Sequence, residues 1–302
     1  MGDLFEEKNI SPMLLNEVKQ PFDSEEYIFE LKLDGIRCIA YLSPYSVSLR
    51  NKRNKELIDI YPELKKANEC VKTQCVLDGE LVVLSNGKPD FYSLQERSLL
   101  KDPLKIELAS KRKPVSFVAY DILYCNGRDV TGLPQTDRKE ILSENVKECN
   151  GISVSRWIEK HGVSFFELTK QQGLEGVVAK KKNGTYKIGK RASEWIKIKV
   201  MQEEDLHVVG YVPDSYGNVK DLILSSQENS IYKNRGKVYL GVSEQERKFI
   251  RNFAKSHKTE IPYFPDIKNA VWLNPPLKGT VVYMHKTQSG ALRQPVWKGL
   301  KE

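Results

Sequence analysis

Lys32 stands between two acids at alternate positions in the run Glu30-Leu31-Lys32-Leu33-Asp34-Gly35-Ile36-Arg37. A lysine amine is a nucleophile once it has lost its proton. With an ordinary pKa of about 10.4 it is almost wholly protonated near neutral pH, so neighbouring cations, desolvation or a bound ligand must favour the neutral form. Average residue usage places a Lys-x-Asp-Gly string in about one chain in ten of this length. The motif therefore needs support from a charge-lined, phosphate-binding pocket built elsewhere in the chain.

Such support is spread along the sequence. In the apolar run Cys75-Val76-Leu77-Asp78-Gly79-Glu80-Leu81, the acids Asp78 and Glu80 are two apart, so they share one face of a strand opposite Leu77 and Leu81. Carboxylates in such a strand cost free energy unless cations, a metal or ligand hydroxyls meet them. Glu175 directly precedes the apolar stretch Gly176-Val177-Val178-Ala179, which runs out into Lys180. Trp195, Lys197 and Lys199 alternate with Ile196, Ile198 and Val200, and two lysines on one strand face repel unless an anion lies between them.

The elements that must position these groups follow from periodicity and breakers. One strand is expected over residues 27–42, with Glu30, Lys32 and Asp34 on one face and Leu31 and Leu33 on the other. A second strand begins at Val47 and reaches Arg50, where Arg50-Asn51-Lys52-Arg53-Asn54-Lys55 makes a basic turn, either a solvated tip or a phosphate contact. Residues 91–108 read as helix broken at Asp102-Pro103, residues 114–124 as strand, and residues 133–149 and 163–172 as helices. Met201–Asp205 is polar and acidic, which divides the chain into 1–203 and 204–302. Beyond it come short strands, two of them around 270–272 and 281–285. A helix over 243–256 carries Ser243 and Glu246 at capping-box spacing and Phe249, Ile250 and Phe253 as its apolar stripe.

Composition sets the class. The 302 residues are 40% hydrophobic and 29% charged, enough for two domains with a real core. No apolar run approaches membrane-spanning length and the first ten residues lack the profile of a secretory signal, so the expectation is a cytoplasmic protein without a membrane. Five cysteines without a Cys-x-x-Cys pair point to reduced thiols, and four histidines away from them argue against a structural zinc site. The net charge is +8, and from Asp205 onward there are 15 Lys and Arg against 9 Asp and Glu, an excess of six. The C-terminal part thus suits a polyanion.

Taken in order, Lys-x-Asp-Gly-x-Arg, Leu-Asp-Gly-Glu, Ala-Tyr-Asp, Glu-Gly-Val-Val and Trp-x-Lys-x-Lys, followed by a basic barrel-like part, resemble the ATP-dependent DNA ligases of the covalent nucleotidyltransferase superfamily. The likeness is to compact bacterial ligases and to the ligase module of bacterial end-joining enzymes. It implies an α+β fold: a nucleotidyltransferase (adenylation) domain of antiparallel sheets with flanking helices, then a small OB-fold β-barrel that binds DNA. It also implies ATP and Mg2+ (or Mn2+) as cofactors and nicked duplex DNA as substrate. The enzyme would be a bacterial or phage-encoded, nucleoid-associated monomer, with an end-binding or other repair protein as a candidate partner.

By the same resemblance, Lys32 attacks the α-phosphate of ATP to give a lysyl-AMP. Glu30 recognises the adenine amino group, Arg37 the ribose or phosphates, Arg50 an adjacent phosphate, and Tyr120 stacks on the purine. Glu80 meets the ribose or metal, Glu175 serves the metal, Lys197 and Lys199 hold the α-phosphate, and Asp34 matters once DNA is bound. Lys187, Lys190 and Arg191 are candidates for gripping DNA, though a solvated basic turn is the alternative. The stretch from Gly290 to Lys301, with Arg293, resembles the start of the family's C-terminal motif, whose Asp-Lys ending is not found before Glu302. Arg293, Lys298 or Lys301 would then orient the pyrophosphate, and self-adenylylation would be slow. The competing readings are an RNA ligase or GTP-using capping enzyme, and a nucleic-acid-binding scaffold without catalysis.

Overall fold

The computed structural model describes residues 3–287 and 289–301. Contacts divide the chain into two compact units, Met1–Val200 and Met201–Glu302.

The first unit holds two sheets. One orders its strands Leu14–Val18, Arg191–Lys199, Gly176–Lys181, Ser24–Leu31 and Trp157–Lys160, antiparallel except for the first pair. The other runs Ser46–Asn51, Ile36–Ser43, Cys75–Ser85, Val115–Cys125 and Arg128–Asp129, with Lys88–Pro89 and Ile152–Val154 attached. Period-two alternation lets the second sheet serve two cores. Cys38, Ala40 and Leu42 pack with Leu77, Leu81 and Leu142, while Ile39 and Tyr41 pack with Met13, Tyr186 and Trp195 of the first sheet and its flanks. The first sheet's other face, with Phe29 and Ile198, is covered by Phe166 of the helix Gly162–Gln171.

The single strand expected over residues 27–42 is two strands in different sheets, Ser24–Leu31 and Ile36–Ser43, joined by residues 32–35. Lys32 and Asp34 therefore do not share a strand face with Glu30. The crossing depends on a close approach: a Cβ on Gly35 would lie 2.3 Å from the Leu81 carbonyl oxygen. Only glycine lets the chain press that tightly on the Cys75–Ser85 strand.

Two helices, Phe91–Ser98 and Pro103–Arg112, replace the broken one, and the Asp102 side chain caps the second by accepting from Lys105 N at 2.9 Å. The helix expected over 133–149 is Gln135–Asn145. Past it, Val146 bridges Val71 and Lys147 N donates to the Cys70 carbonyl. That pairing brings Cys149 to Cys70, and the two form a disulfide. The expectation of five reduced thiols is thus corrected to three, Cys38, Cys75 and Cys125.

The second unit is an antiparallel sheet ordered Ile231–Val238, Val219–Glu228, Gln202–Pro213, Val271–Tyr283 and Lys258–Thr259, with Val296–Leu300 also on Val271–Tyr283. Its core gathers Leu206, Leu222, Leu224, Leu273, Val281 and Trp297 beneath the helix Glu244–His257, the arrangement of a small OB-type domain. Ser243 and Glu246 form the capping box. Phe249, placed on the apolar stripe by spacing, is exposed, and the buried stripe is Ile250 and Ala254 with Phe253 beside them. The two strands expected near 270–272 and 281–285 are one long strand. Among the described residues, no helix is long and apolar enough to cross a membrane.

Candidate active site

A cleft of about 530 Å³ opens in the first unit, a size usual for small-molecule sites. Both sheets contribute to its lining: Glu30, Val178, Lys180 and Trp195 from one, Arg37 and Glu80 with Tyr120 from the other. Lys32 enters from the crossing segment. Strand register explains the grouping, since Glu30 lies opposite Val178 and Lys180 opposite Trp195, which puts all four side chains on one sheet face.

At one end the cleft is polar and buried. Glu30, 2% exposed, has its Oε1 2.6 Å from Lys139 Nζ and 3.1 Å from Lys180 Nζ. Lys180 also donates to the Tyr120 carbonyl at 3.0 Å. Its ammonium lies 4.1 Å from the Trp195 ring centroid and 4.6 Å from that of Tyr120, a cation–π clamp. Burial pushes the Lys180 ammonium down to about 8, against the pull of Glu30. Tyr120 and Trp195 meet edge to face at 6.0 Å, giving the cleft an aromatic wall.

That wall is braced from behind. Trp195 Nε1 donates to Gln135 Oε1 at 2.8 Å, and Arg138 makes a two-pronged pair with Asp121, Nε and Nη2 each at 2.8 Å. Burial works to raise the Asp121 carboxyl, but Arg138 more than offsets it and holds the group below the usual carboxylate range. Arg37 lines the cleft, yet its fork is taken up by Asp78, with Nε–Oδ1 at 3.0 Å and Nη2–Oδ2 at 2.6 Å, and by the Met13 carbonyl. Asp78, buried in its strand, thus has the cation its surroundings demand, and Tyr186 adds a hydroxyl at 2.7 Å.

Lys32 Nζ lies 2.6 Å from Glu175 Oε1. Glu80 stands close to both, and burial pushes its carboxyl up to about 8, with Lys32 and Arg37 lowering it and Asp78 and Glu175 raising it further. A cation between Glu80 and Glu175 would relieve that cost. Two carboxylates are also the donor set that suits magnesium arriving with a phosphate. Among the described residues, no three His, Cys, Asp or Glu side chains gather as a ready-made cage.

The remaining expected residues are placed as follows. Lys197 and Lys199 lie on the same sheet face as Trp195 but outside the cleft lining, and both meet Glu17 Oε2, at 3.0 and 3.5 Å. Arg50 also lies outside it, donating to the Asn54 carbonyl at 3.1 Å, while the basic turn after it brings Asn51, Lys52 and Arg53 into the lining. Asp34 is half-buried in the crossing segment. Lys187, Lys190 and Arg191 are exposed on the chain leading into the Arg191–Lys199 strand, the first two beside a separate shallow depression with Leu4, Glu7 and Asp129. Arg293 belongs to the second unit, where its backbone pairs with Met284 and His285. In the same unit Lys301 pairs with Asp205, and Glu302 lies outside the described residues.

In the sequence Lys180 carries no assigned role, and neither Lys139 nor Glu17 stands out. Lys180 had a signal, since it shares strand parity with Val178. Lys139 and Glu17 reach their partners only through tertiary packing.

The comparisons with known proteins agree. Residues 12–199 match the family model of the ATP dependent DNA ligase domain, and residues 215–302 that of the ATP dependent DNA ligase C terminal region. The SPbeta prophage-derived DNA ligase-like protein LigB of Bacillus subtilis is 33% identical over 203 residues, covering 67% of this chain and 72% of LigB. The multifunctional non-homologous end joining protein LigD of Mycolicibacterium smegmatis is 30% identical across 97% of this chain, which spans only 38% of that protein. The crystal structure of the ligase domain of M. tuberculosis LigD superposes with a TM-score of 0.57 at 26% identity, covering 97% of this chain and 95% of that one. A Lig E DNA ligase, at 19% identity and a TM-score of 0.65 over 95% of this chain and 99% of its own, shares the fold. With residues 12–199 and 215–302 both matched by the family's models and LigB 33% identical, the chain belongs to the ATP-dependent DNA ligases.

Proposed function

We propose that ATP binds in the cleft of the first unit and that Lys32 takes up its AMP, as the first step in sealing a nick in duplex DNA. The observation that carries this reading is the Lys32–Glu175 ion pair, 2.6 Å long, beside a cleft with an aromatic wall and a buried carboxylate at one end. An amine, two acids and several cations in and beside one cleft suit phosphoryl transfer, which depends on positioning and charge stabilisation.

In this reading the purine packs on Tyr120 and Trp195, and Glu30 accepts from its amino group. Arg37 and Glu80 face the ribose, and Lys197 with Lys199 receives the α-phosphate. Arg50, with Lys52 and Arg53 beside it, meets the outer phosphates. Magnesium or manganese held by Glu80 and Glu175 would supply charge neutralisation at the phosphates.

Lys32 Nζ, deprotonated, forms a bond to the α-phosphorus as the bond to pyrophosphate breaks. A 5′-phosphate oxygen of the nick then displaces Lys32, which regains a proton, and the 3′-hydroxyl finally displaces AMP. Asp34 acts in the DNA-bound steps, and Lys187, Lys190 and Arg191 contact the phosphate backbone. The unit Met1–Val200 serves nucleotide transfer and Met201–Glu302 serves DNA, a division three residues before the one expected at 203/204. The LigD relatives, named for end joining, support a repair setting with an end-binding protein as partner. A monomer at the bacterial nucleoid is the simplest form.

The test is a nicked duplex with a labelled 5′-phosphate, offered ATP or GTP and a DNA or RNA 3′-strand. Sealing of the all-DNA nick with ATP alone is expected. Sealing that requires GTP or an RNA strand would overturn the reading.

A further inference from the structure

Two ammonium groups that face the same way on one strand need an anion between them, and here the chain supplies its own. Glu17 lies on the Leu14–Val18 strand, in parallel register with Lys197. Its Oε2 is 3.0 Å from Lys197 Nζ and 3.5 Å from Lys199 Nζ, so a single oxygen serves both cations. A phosphate oxygen held by two lysines would occupy the same kind of place.

The Glu17 side chain is 48% exposed, against 24% and 17% for Lys197 and Lys199. The acid is therefore the member of the trio with room to leave. Burial tends to raise its carboxyl, and the lysines more than offset that, so the carboxylate form is favoured where it sits.

We propose that Glu17 is an internal stand-in for the nucleotide's phosphate. In the nucleotide-free enzyme it holds the two lysines together against their repulsion. An arriving phosphate must displace it. Glu17 is thus a positioning residue that acts through Lys197 and Lys199, and it sets the concentration of ATP needed rather than the rate of the chemical step. This rests on the reading above, in which those two lysines receive the α-phosphate.

Glu17→Gln keeps the length of the side chain and removes its charge. In self-adenylylation the KM for ATP is expected to fall about fivefold, with kcat within about twofold of wild type. At 1.4 kcal/mol per tenfold that is about 1 kcal/mol, the upper end for a half-exposed ion pair. Glu17→Asp, which retains the charge, should return KM towards the wild-type value, and inorganic pyrophosphate should inhibit Glu17→Gln at lower concentration than wild type. A purely structural strut would instead lower kcat or melting temperature and leave KM unchanged or raised, and that result overturns the proposal. Lys197→Met separates the two readings. Wild-type adenylylation in that variant would refute the phosphate role of the lysines, whereas its loss together with an unmoved KM in Glu17→Gln would refute the role of Glu17 alone.

Discussion

Lys32 Nζ and Glu175 Oε1 are 2.6 Å apart, so the proposed nucleophile is held by the acid proposed to serve the metal. Glu175 is fixed in turn at the head of the Gly176–Lys181 strand, its carbonyl accepting from Val200 N at 2.9 Å. For Lys32 to attack, this pair has to open, and a cation that takes over Glu175 would open it. Nucleotide and metal, once bound, would thereby release the amine at the place where the proposed reaction needs it.

Glu175→Gln retains the shape of the side chain but loses its charge. Self-adenylylation is expected to fall at least about tenfold, and the magnesium needed for half-maximal rate to rise about 10- to 100-fold, the usual scale for disturbing a metal's supporting groups. A magnesium titration of single-turnover adenylylation checks this, and an unchanged midpoint would contradict it.

Glu80 makes stability depend on pH. Its carboxyl stands at about 8 in the folded chain against a reference of 4.5, so between these values the folded state holds a proton that the unfolded state has lost. Its favourable contribution is complete below pH 4.5 and is lost as pH rises through about 8. Glu80→Gln does not titrate, so its melting temperature should gain on wild type as pH goes from about 5 to about 8.5. A constant difference across that range would contradict the assignment. Lys180, lowered from 10.5 to about 8, acts in the opposite sense and in the higher window, adding stability as pH rises from 8 to 10.5.

Arg138 and Asp121 are both wholly buried and paired at 2.8 Å. Arg138→Met leaves an unpaired buried carboxylate and should cost about 3–5 kcal/mol. Adding Asp121→Leu should recover much of it. Denaturant unfolding measures both, and a cost below about 1 kcal/mol for the single change would mean that the pair does not brace the aromatic wall.

Lys187 and Lys190 are exposed and close in sequence. If both contact DNA phosphates, changing both to Ala should weaken nicked-DNA binding and flatten the plot of log affinity against log salt by about one unit per contact. An unchanged slope would return them to the solvent.

Much of the cleft was legible because alternation in a strand reports which side chains share a face. Glu80 follows from Asp78 without any knowledge of the partner strands, whereas Lys197 and Lys199, which alternation does put on the face of Trp195, fall outside the cleft lining and meet Glu17. The break at residues 32–35 was not legible, since alternation continues across it from Glu30 to Asp34 while the chain changes sheets. What decides there is the contact of Gly35 with Leu81, which joins distant segments. Lys139 comes from a helix more than a hundred residues beyond Glu30, and the Cys70–Cys149 pair spans 79 residues, so spacing carries no trace of either. Phe249 shows the converse limit: a helical stripe can be drawn one residue too wide, and only the facing core selects Ile250 and Ala254.

The most direct measurement is incubation with magnesium and ATP labelled at the α-phosphate, followed by a denaturing gel. Wild-type protein should carry a covalent label, Lys32→Ala should carry none, and ATP labelled at the γ-phosphate should leave none on either. A label that persists in Lys32→Ala, or its absence from the wild type, would contradict Lys32 as the adenylylated residue.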